Sequence, residues 1–218
     1  MLLFSVAALR GGDAACRFIA AVVQIGFTAE IRPEQRQLSI THVGRCHAVL
    51  TQPPEQRSKA VAHPQVDEIT LEWSGAFARY HAAMMRTIII GKANPIQRRM
   101  YDAAAEALTA CENAIKPQTP MGEVFEAHSE VFNAHGFSHA KLQACGYGMG
   151  AVYNPIWVEF PMFYEGNPLL MRLNQVFFLH MILVDSETGL AMTLGHSVLV
   201  TDSGAERLSR HKLHLLEA

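Results

Sequence analysis

The chain has 218 residues, of which 50% are hydrophobic and 17% are charged, and its formal net charge is −2. This length and hydrophobic content can bury one sizeable core, which predicts a single domain of the globular class. The near-neutral charge provides no basic stripe and argues against a nucleic-acid-binding protein. The four scattered cysteines include no Cys-x-x-Cys pair, which argues against a zinc knuckle or a disulfide framework; they are Cys16, Cys46, Cys111 and Cys145.

The first third of the chain gives few structural signals. Residues 1–9 are apolar without a basic leader, and the apolar run 18–27 is too short to span a bilayer. We therefore predict no signal peptide and no membrane segment, and a cytoplasmic location. Because no clean period appears before residue 66, we expect 1–65 to be a poorly ordered N-terminal segment and 66–218 to be the folded domain.

From residue 66 onward, strand signals are clear. Residues 68–73 read as a strand, followed by a turn at Gly75 and a return strand through the β-branched run 87–90. Residues 176–184 and 192–201 read as two more strands joined by a tight turn. The run from Gly146 to Gly150 reads as a glycine loop, and it lacks the following Lys-Ser or Lys-Thr of a phosphate-binding loop.

Two helices lie between these strand pairs. Asn94 followed by Pro95 predicts the start of a helix that runs to about residue 115 and ends before Pro117. Thr119-Pro120 predicts the start of a second helix in the same way. Gly136 predicts its end.

The order of these elements resembles the catalytic domain of the creatinase, prolidase and methionine aminopeptidase superfamily. The resemblance covers about residues 66–216 and rests on Arg86-Thr87 at the end of the hairpin, Lys116-Pro117 after the first helix, 146–150 and 200–208. It implies an α+β pita-bread fold, in which a curved antiparallel sheet carries helices on its outer face, here incomplete at the N-terminus. It also implies a homodimer.

In most of this superfamily five side chains hold a two-metal centre. The resemblance maps these positions onto Glu72, Ala83, Tyr147, His180 and Gly195, or His196 if the last register differs by one. A paired divalent site needs several fixed carboxylates, and Glu72 is the one carboxylate in this set. We therefore predict no metal centre and no cofactor.

Metal-free members of the superfamily hydrolyse small nitrogen compounds, and the ectoine hydrolase branch resembles this chain better than creatinase does. The matching residues are Glu72, Gly75, Arg79, Tyr80, His81, Arg86, Thr87, Gly146, Tyr147, Gly150, Pro155, Trp157 and Glu159. The chain departs from that branch at Phe177-Phe178, where the branch pairs Phe with His, and at Thr193 and His196, where it has Glu. These departures leave the substrate open.

The leading prediction is therefore a metal-independent hydrolase of C–N bonds in small nitrogenous compounds. Glu72 would activate water or attack directly, while His81 and Tyr147 would transfer protons or stabilise charge. The predicted substrate-binding residues are Trp157, Glu159, Arg86 and His180. Each has a structural alternative: Glu72 could pair with Arg79 or Arg86, Arg86 could be a structural clamp, and the histidines and Trp157 could be ordinary core residues.

Two other readings stay open. One is a catalytically silent or truncated member of the same family, because residues 1–66 do not resemble the opening of the catalytic domain. The other is a metal-dependent Xaa-Pro aminopeptidase-like peptidase, which would need ligands such as His180, His196 and Asp185. Cys145, beside the glycine run, is a candidate nucleophile whose alternative is a small buried hydrophobe.

Overall fold

The structure, a computed structural model, describes residues 37–45, 67–77, 79–152 and 157–218. The elements in chain order are β1 Gln37–Arg45, β2 Asp67–Phe77, β3 Tyr80–Ile90, α1 Pro95–Ala114, α2 Met121–Ala134, β4 Ala144–Met149, β5 Glu159–Tyr164, β6 Val176–Asp185, β7 Leu190–Thr201, β8 Gly204–Arg207 and β9 Leu216–Glu217. All described strands join one sheet in the order β1-β2-β3-β7-β6-β4-β5, with β8 on β7 and β9 on β3. The predicted α+β fold with a curved antiparallel sheet is confirmed.

Several sequence predictions fall outside the described residues. Strand β1 is the described part of the segment 1–65, and it pairs antiparallel with β2. Cys16, Cys46 and Pro155 lie outside the described ranges. The domain division at residue 66 stays a prediction. Neither described helix is long and apolar enough to cross a membrane.

The first helix begins where its capping signals predict. The Asn94 side chain accepts hydrogen bonds from the backbone N–H groups of Ile96 and Gln97, both at 2.9 Å. The Gln97 side chain in turn accepts from the Asn94 N–H at 2.9 Å, which completes a capping box ahead of Pro95. The second helix begins one residue later than predicted, with Pro120 at its cap and no side-chain cap bond. Gly136 follows it at φ +79°.

The main core lies between the helices and the outer face of the sheet. Its largest fully buried side chains include Phe132, Phe163, Phe177, Met100 and Leu108. Burying one such side chain stabilises the fold by about 1.5–3 kcal/mol, so this layer holds the helices firmly on the sheet. We call the opposite face of the sheet the inner face. A site can form there because the two helices pack on the outer face.

The predicted turn at Gly75 is wrong. Gly75 lies within β2, paired with Ala82 of β3, and the ladder continues to the pair Phe77–Tyr80. The chain reverses next to Arg79, which adopts φ 73°. Glycine permits a turn but does not require one, and here the strand pairing continues past it.

The predicted glycine loop is also wrong, because Gly146 and Gly148 lie within strand β4. A Cβ built on Gly146 would lie 2.5 Å from the carbonyl oxygen of Phe178, and one on Gly148 would lie 3.1 Å from that of Phe160. The glycines therefore serve close strand packing.

The sheet has two parts that meet between β3 and β7. Three backbone pairs join them, Met84–His196, Met85–Gly195 and Arg86–Leu194. Side chains extend this short ladder at both ends. The Ser197 hydroxyl accepts from the Ala83 N–H at 2.9 Å and donates to the Ala83 carbonyl at 3.0 Å, and the Thr87 hydroxyl accepts from the Thr193 N–H at 2.8 Å.

The buried imidazole of His128 on α2 makes the folded protein less stable at acidic pH. It lies fully buried between Phe125 and Phe132, and neither ring nitrogen has a hydrogen-bond partner among the described residues. Burial, with a smaller effect of Lys141, lowers the pKa of His128 from 6.5 to about 3. The unfolded chain therefore takes up a proton below about pH 6.5 that the folded protein does not.

We expect His128→Leu to reduce the loss in the free energy of unfolding as the pH falls. Between about pH 6 and pH 4, wild type should lose about 1.4 kcal/mol per pH unit through this group, and the variant should not. Urea unfolding at several pH values measures this slope. His214→Leu, at an exposed histidine, is the matched control. An unchanged slope in His128→Leu would refute the assignment.

Candidate functional site

A second buried cluster lies on the inner face of the sheet. Its members are Ala83, Met85, Tyr147, Met149, Trp157 and Phe178. Strand alternation explains the separation: Leu194 and Val198 of β7 face the main core, while Gly195 and Ser197 between them face the inner side. The positions that the family resemblance singled out thus meet on one face.

A chain of hydrogen bonds crosses this face. The Trp157 indole Nε1–H donates to the Tyr147 hydroxyl at 3.0 Å, and that hydroxyl donates to Oε1 of Glu72 at 3.3 Å. Trp157 and Tyr147 are buried, whereas Glu72 is half-buried. The carboxylate is therefore oriented from the protein interior while remaining within reach of solvent.

The Tyr147 hydroxyl keeps its proton. Burial raises the pKa of Tyr147 far above its usual value, and the nearby negative charge of Glu72 raises it further, although the indole hydrogen bond lowers it. The proton of this hydroxyl points at Glu72. Tyr147 is thus a positioning group for the carboxylate.

His180 lies beside this chain and is neutral at pH 7. Its strand position pairs with Gly195, and its ring centroid lies 5.5 Å from that of Tyr147. Burial lowers the pKa of His180 to about 4. Its Nδ1 has no hydrogen-bond partner among the described residues. A neutral, buried imidazole can exchange hydrogen bonds with a substrate but holds no positive charge there.

Three predicted site residues lie away from the hydrogen bonds that join Trp157, Tyr147 and Glu72. His81 is buried on β3, four residues before Met85, the partner of Glu72, so it lies about 13 Å along the strand. Glu159 begins β5 and packs against Gly150. Arg86 is discussed below; its position is that of a structural clamp. All of these roles stay predictions.

The residues at the family's metal positions do not fit a two-metal centre. Ala83 and Gly195 offer no donor atom, and Tyr147 holds its proton. A Cβ on Gly195 would lie 2.8 Å from the Phe178 ring, so this aromatic side chain occupies the space above the glycine. Within the described residues, no group of three or more His, Cys, Asp or Glu side chains could hold a metal ion.

A metal-dependent peptidase would need His180, His196 and Asp185 as ligands, and these side chains do not lie together. His196 lies on the outer face, where its Nε2 is hydrogen-bonded to Glu112. Asp185 is the last residue of β6, whereas His180 lies near the middle of that strand. The Asp185 carboxylate accepts a hydrogen bond from the Glu187 N–H at 2.9 Å. The β6–β7 register therefore assigns Gly195, and not His196, to the inner face opposite His180.

Cys145 is a buried structural residue. It is fully buried, its Sγ lies 3.9 Å from the Val124 carbonyl oxygen, and burial raises the pKa of its thiol. Sequence reasoning missed Phe178 and Ser197 as residues that shape the site. The departure at Phe177-Phe178 was the available signal for the first of them.

The comparisons with known proteins agree with this fold. The sequence model of metallopeptidase family M24 matches residues 16–202. Ectoine hydrolase of Halomonas elongata is 24% identical over 202 residues, 88% of this chain and 49% of the relative. Xaa-Pro dipeptidase of Pyrococcus furiosus is 23% identical over 150 residues, 69% of this chain and 42% of the relative.

A solved structure extends the likeness. X-Pro aminopeptidase of Thermotoga maritima superimposes with a TM-score of 0.66 at 15% identity, covering 84% of this chain and 49% of that one. The chain spans about half the length of the curated relatives named above. Since the family match extends over most of the sequence and the fold agrees, the chain belongs to metallopeptidase family M24.

Proposed function

We propose that this chain is a hydrolase that cleaves C–N bonds in small nitrogenous compounds without a metal ion. The observation that supports it best is the hydrogen-bonded series Trp157–Tyr147–Glu72, which orients one half-buried carboxylate on the inner face. A carboxylate held in this way can act as a general base. Apolar and aromatic side chains line much of the inner face, which also carries the polar side chains of His180 and Ser197.

The reaction follows from the chemistry of Glu72. The carboxylate takes a proton from a water molecule as the water oxygen attacks the electrophilic carbon next to nitrogen. The tetrahedral intermediate then collapses, the C–N bond breaks, and the same proton passes from Glu72 to the departing nitrogen. Water is thereby added across the bond, and Glu72 returns to its starting state.

The neighbouring groups have supporting roles in this scheme. Tyr147 keeps Glu72 in place through its hydroxyl, and Trp157 fixes the orientation of that hydroxyl. His180, neutral through burial, can hydrogen-bond the substrate through Nδ1. The predicted proton transfer by His81 would need the substrate to reach along β3.

Two findings support this proposal. The ectoine hydrolase of Halomonas elongata aligns with 88% of this chain, which favours a small nitrogenous substrate. The family's metal positions carry no carboxylate besides Glu72, which favours a reaction without a metal ion. Xaa-Pro dipeptidases match as well, so proline dipeptides belong among the compounds to test.

A catalytically silent protein is the second candidate. The ring of Phe178 occupies the space above Gly195 and packs on Tyr147, with ring centroids 5.4 Å apart. This packing removes volume from the inner face. A silent member would keep the fold and bind none of the compounds that relatives hydrolyse.

One experiment separates these candidates. Metal-stripped protein is titrated calorimetrically with ectoine, creatine, cyclic amides and proline dipeptides, and products are followed by mass spectrometry. The proposal expects binding and slow turnover of a cyclic or amidine nitrogen compound. Absence of turnover from a protein that melts cooperatively would overturn it in favour of the silent candidate.

A further inference from the structure

A group of polar side chains lies on the outer face of the sheet, directly behind the β3–β7 junction. We call it the junction cluster, and it consists of Arg86, Tyr101, Glu112, His196 and Arg207. Arg86 and His196 belong to the two outer pairs of the three-pair β3–β7 ladder, with Met85–Gly195 between them. Tyr101 and Glu112 come from α1, and Arg207 comes from β8. The cluster is separated from Glu72 by the sheet.

The carboxylate of the cluster is already fully engaged. Glu112 accepts from Nε of Arg207 at 3.0 Å and from Nη2 at 2.7 Å, and it is hydrogen-bonded to His196. Burial opposes its charge, but the hydrogen bonds from His196 and Arg207 outweigh burial and lower the pKa of Glu112 to about 2. The negative charge of Glu112 is therefore paired with Arg207.

Among the described residues, no carboxylate is hydrogen-bonded to Arg86. Its side chain is 4% exposed, and Nη1 donates to the carbonyls of Met85 and Gly195, both at 2.7 Å. Its Nη2 has no hydrogen-bond partner among the described residues. Burial lowers the pKa of Arg86 to about 10, so the guanidinium is still charged at neutral pH. A buried cation without a counter-charge is unfavourable.

One other group near Arg86 can contribute to anion binding, the hydroxyl of Tyr101. His196 does not contribute a donor: burial lowers its pKa and keeps the ring neutral, and since its Nε2–H is hydrogen-bonded to Glu112, its Nδ1 is an acceptor. Tyr101 is close enough to Arg86 for each to shift the pKa of the other. Because Tyr101 is only half-buried, an anion could reach Arg86 from solvent past its side chain. Asp102, also on α1, is exposed and acts on Tyr101 from outside. Among the described residues of the cluster, two guanidinium groups, those of Arg86 and Arg207, accompany one carboxylate, that of Glu112.

We propose that the junction cluster binds a small inorganic anion of the halide class at Nη2 of Arg86. Burial limits the size of the ligand, and the fixed guanidinium supplies its charge complement. Arg86 also holds the carbonyls of Met85 and Gly195, so anion binding would stabilise the junction between the two parts of the sheet. The site is independent of the proposed hydrolase activity.

Thermal unfolding in chloride at constant ionic strength, balanced with gluconate, tests this site. A ligand that binds the folded state raises the melting temperature with the logarithm of its concentration. We expect a rise of about 5 °C over a hundredfold increase above the dissociation constant. Arg86→Met should abolish the rise, whereas Arg98→Met, at an arginine paired with Glu217 on the surface, should retain it.

A second measurement avoids dependence on a variant that fails to fold. Crystals of the wild-type protein soaked in sodium bromide should show an anomalous peak within hydrogen-bond distance of Arg86 Nη2. Bromide at that atom, together with the chloride-dependent melt, would establish the site. A melting temperature independent of chloride, or no anomalous peak at Nη2, would overturn it and leave water as the partner of Arg86.

Discussion

Glu72→Gln is expected to reduce turnover of whichever compound the protein hydrolyses by about 10²–10⁴-fold, the contribution of a positioned general base. Glutamine keeps the shape of the side chain and can still accept the hydrogen bond of Tyr147, but it cannot take a proton from water. The fold should therefore survive the change. Steady-state kinetics with a matched thermal melt measure both properties.

The control for this variant is Glu126→Gln, which changes an exposed carboxylate on α2 in the same way. It should turn over substrate as wild type does. Tyr147→Phe gives an intermediate case, because it removes the hydrogen bond to Glu72 and leaves the carboxylate. Wild-type turnover by Glu72→Gln would show that Glu72 is not the base.

Gly195→Ala is expected to have the largest effect on stability among changes at the family's metal positions. The added Cβ would lie 2.6 Å from the carbonyl oxygen of Leu179 and 2.8 Å from the ring of Phe178. The first contact is with backbone and cannot be relieved by rotating a side chain. Overpacking of this kind costs about 1–3 kcal/mol and sometimes more.

Gly148→Ala provides the matched comparison, because its Cβ would approach the Phe160 carbonyl oxygen no closer than 3.1 Å. Urea unfolding should rank the proteins as wild type, Gly148→Ala and then Gly195→Ala, from most to least stable. Equal stability of wild type and Gly195→Ala would contradict the close packing of Phe178 on this glycine. It would also reopen the position to a side chain.

The parts of the fold that depend on local signals were predictable. The capping box at Asn94 and the stop at Gly136 set both helices to within a residue, since each is decided by neighbouring side chains. The two errors concern glycines. Gly75 and the run from Gly146 lie in strands, because their conformation is decided by partner strands far away in the sequence.

The site was predictable only through the family resemblance. It brought Glu72, Tyr147 and His180 to one face, which no local period could do. It could not reveal that Arg86 faces the helices, because this depends on pairing with β7 over a separation of more than a hundred residues. The predicted homodimer and the cytoplasmic location stay predictions.

The central claim is that Glu72 activates water without a metal ion, and metal reconstitution tests it most directly. The protein is treated with a chelator, its metal content is measured, and turnover is compared before and after adding Mn²⁺, Co²⁺ or Zn²⁺. We predict that the metal-stripped protein retains its turnover and that added metal changes it little. Activity that disappears with the metal and returns with it would contradict this account.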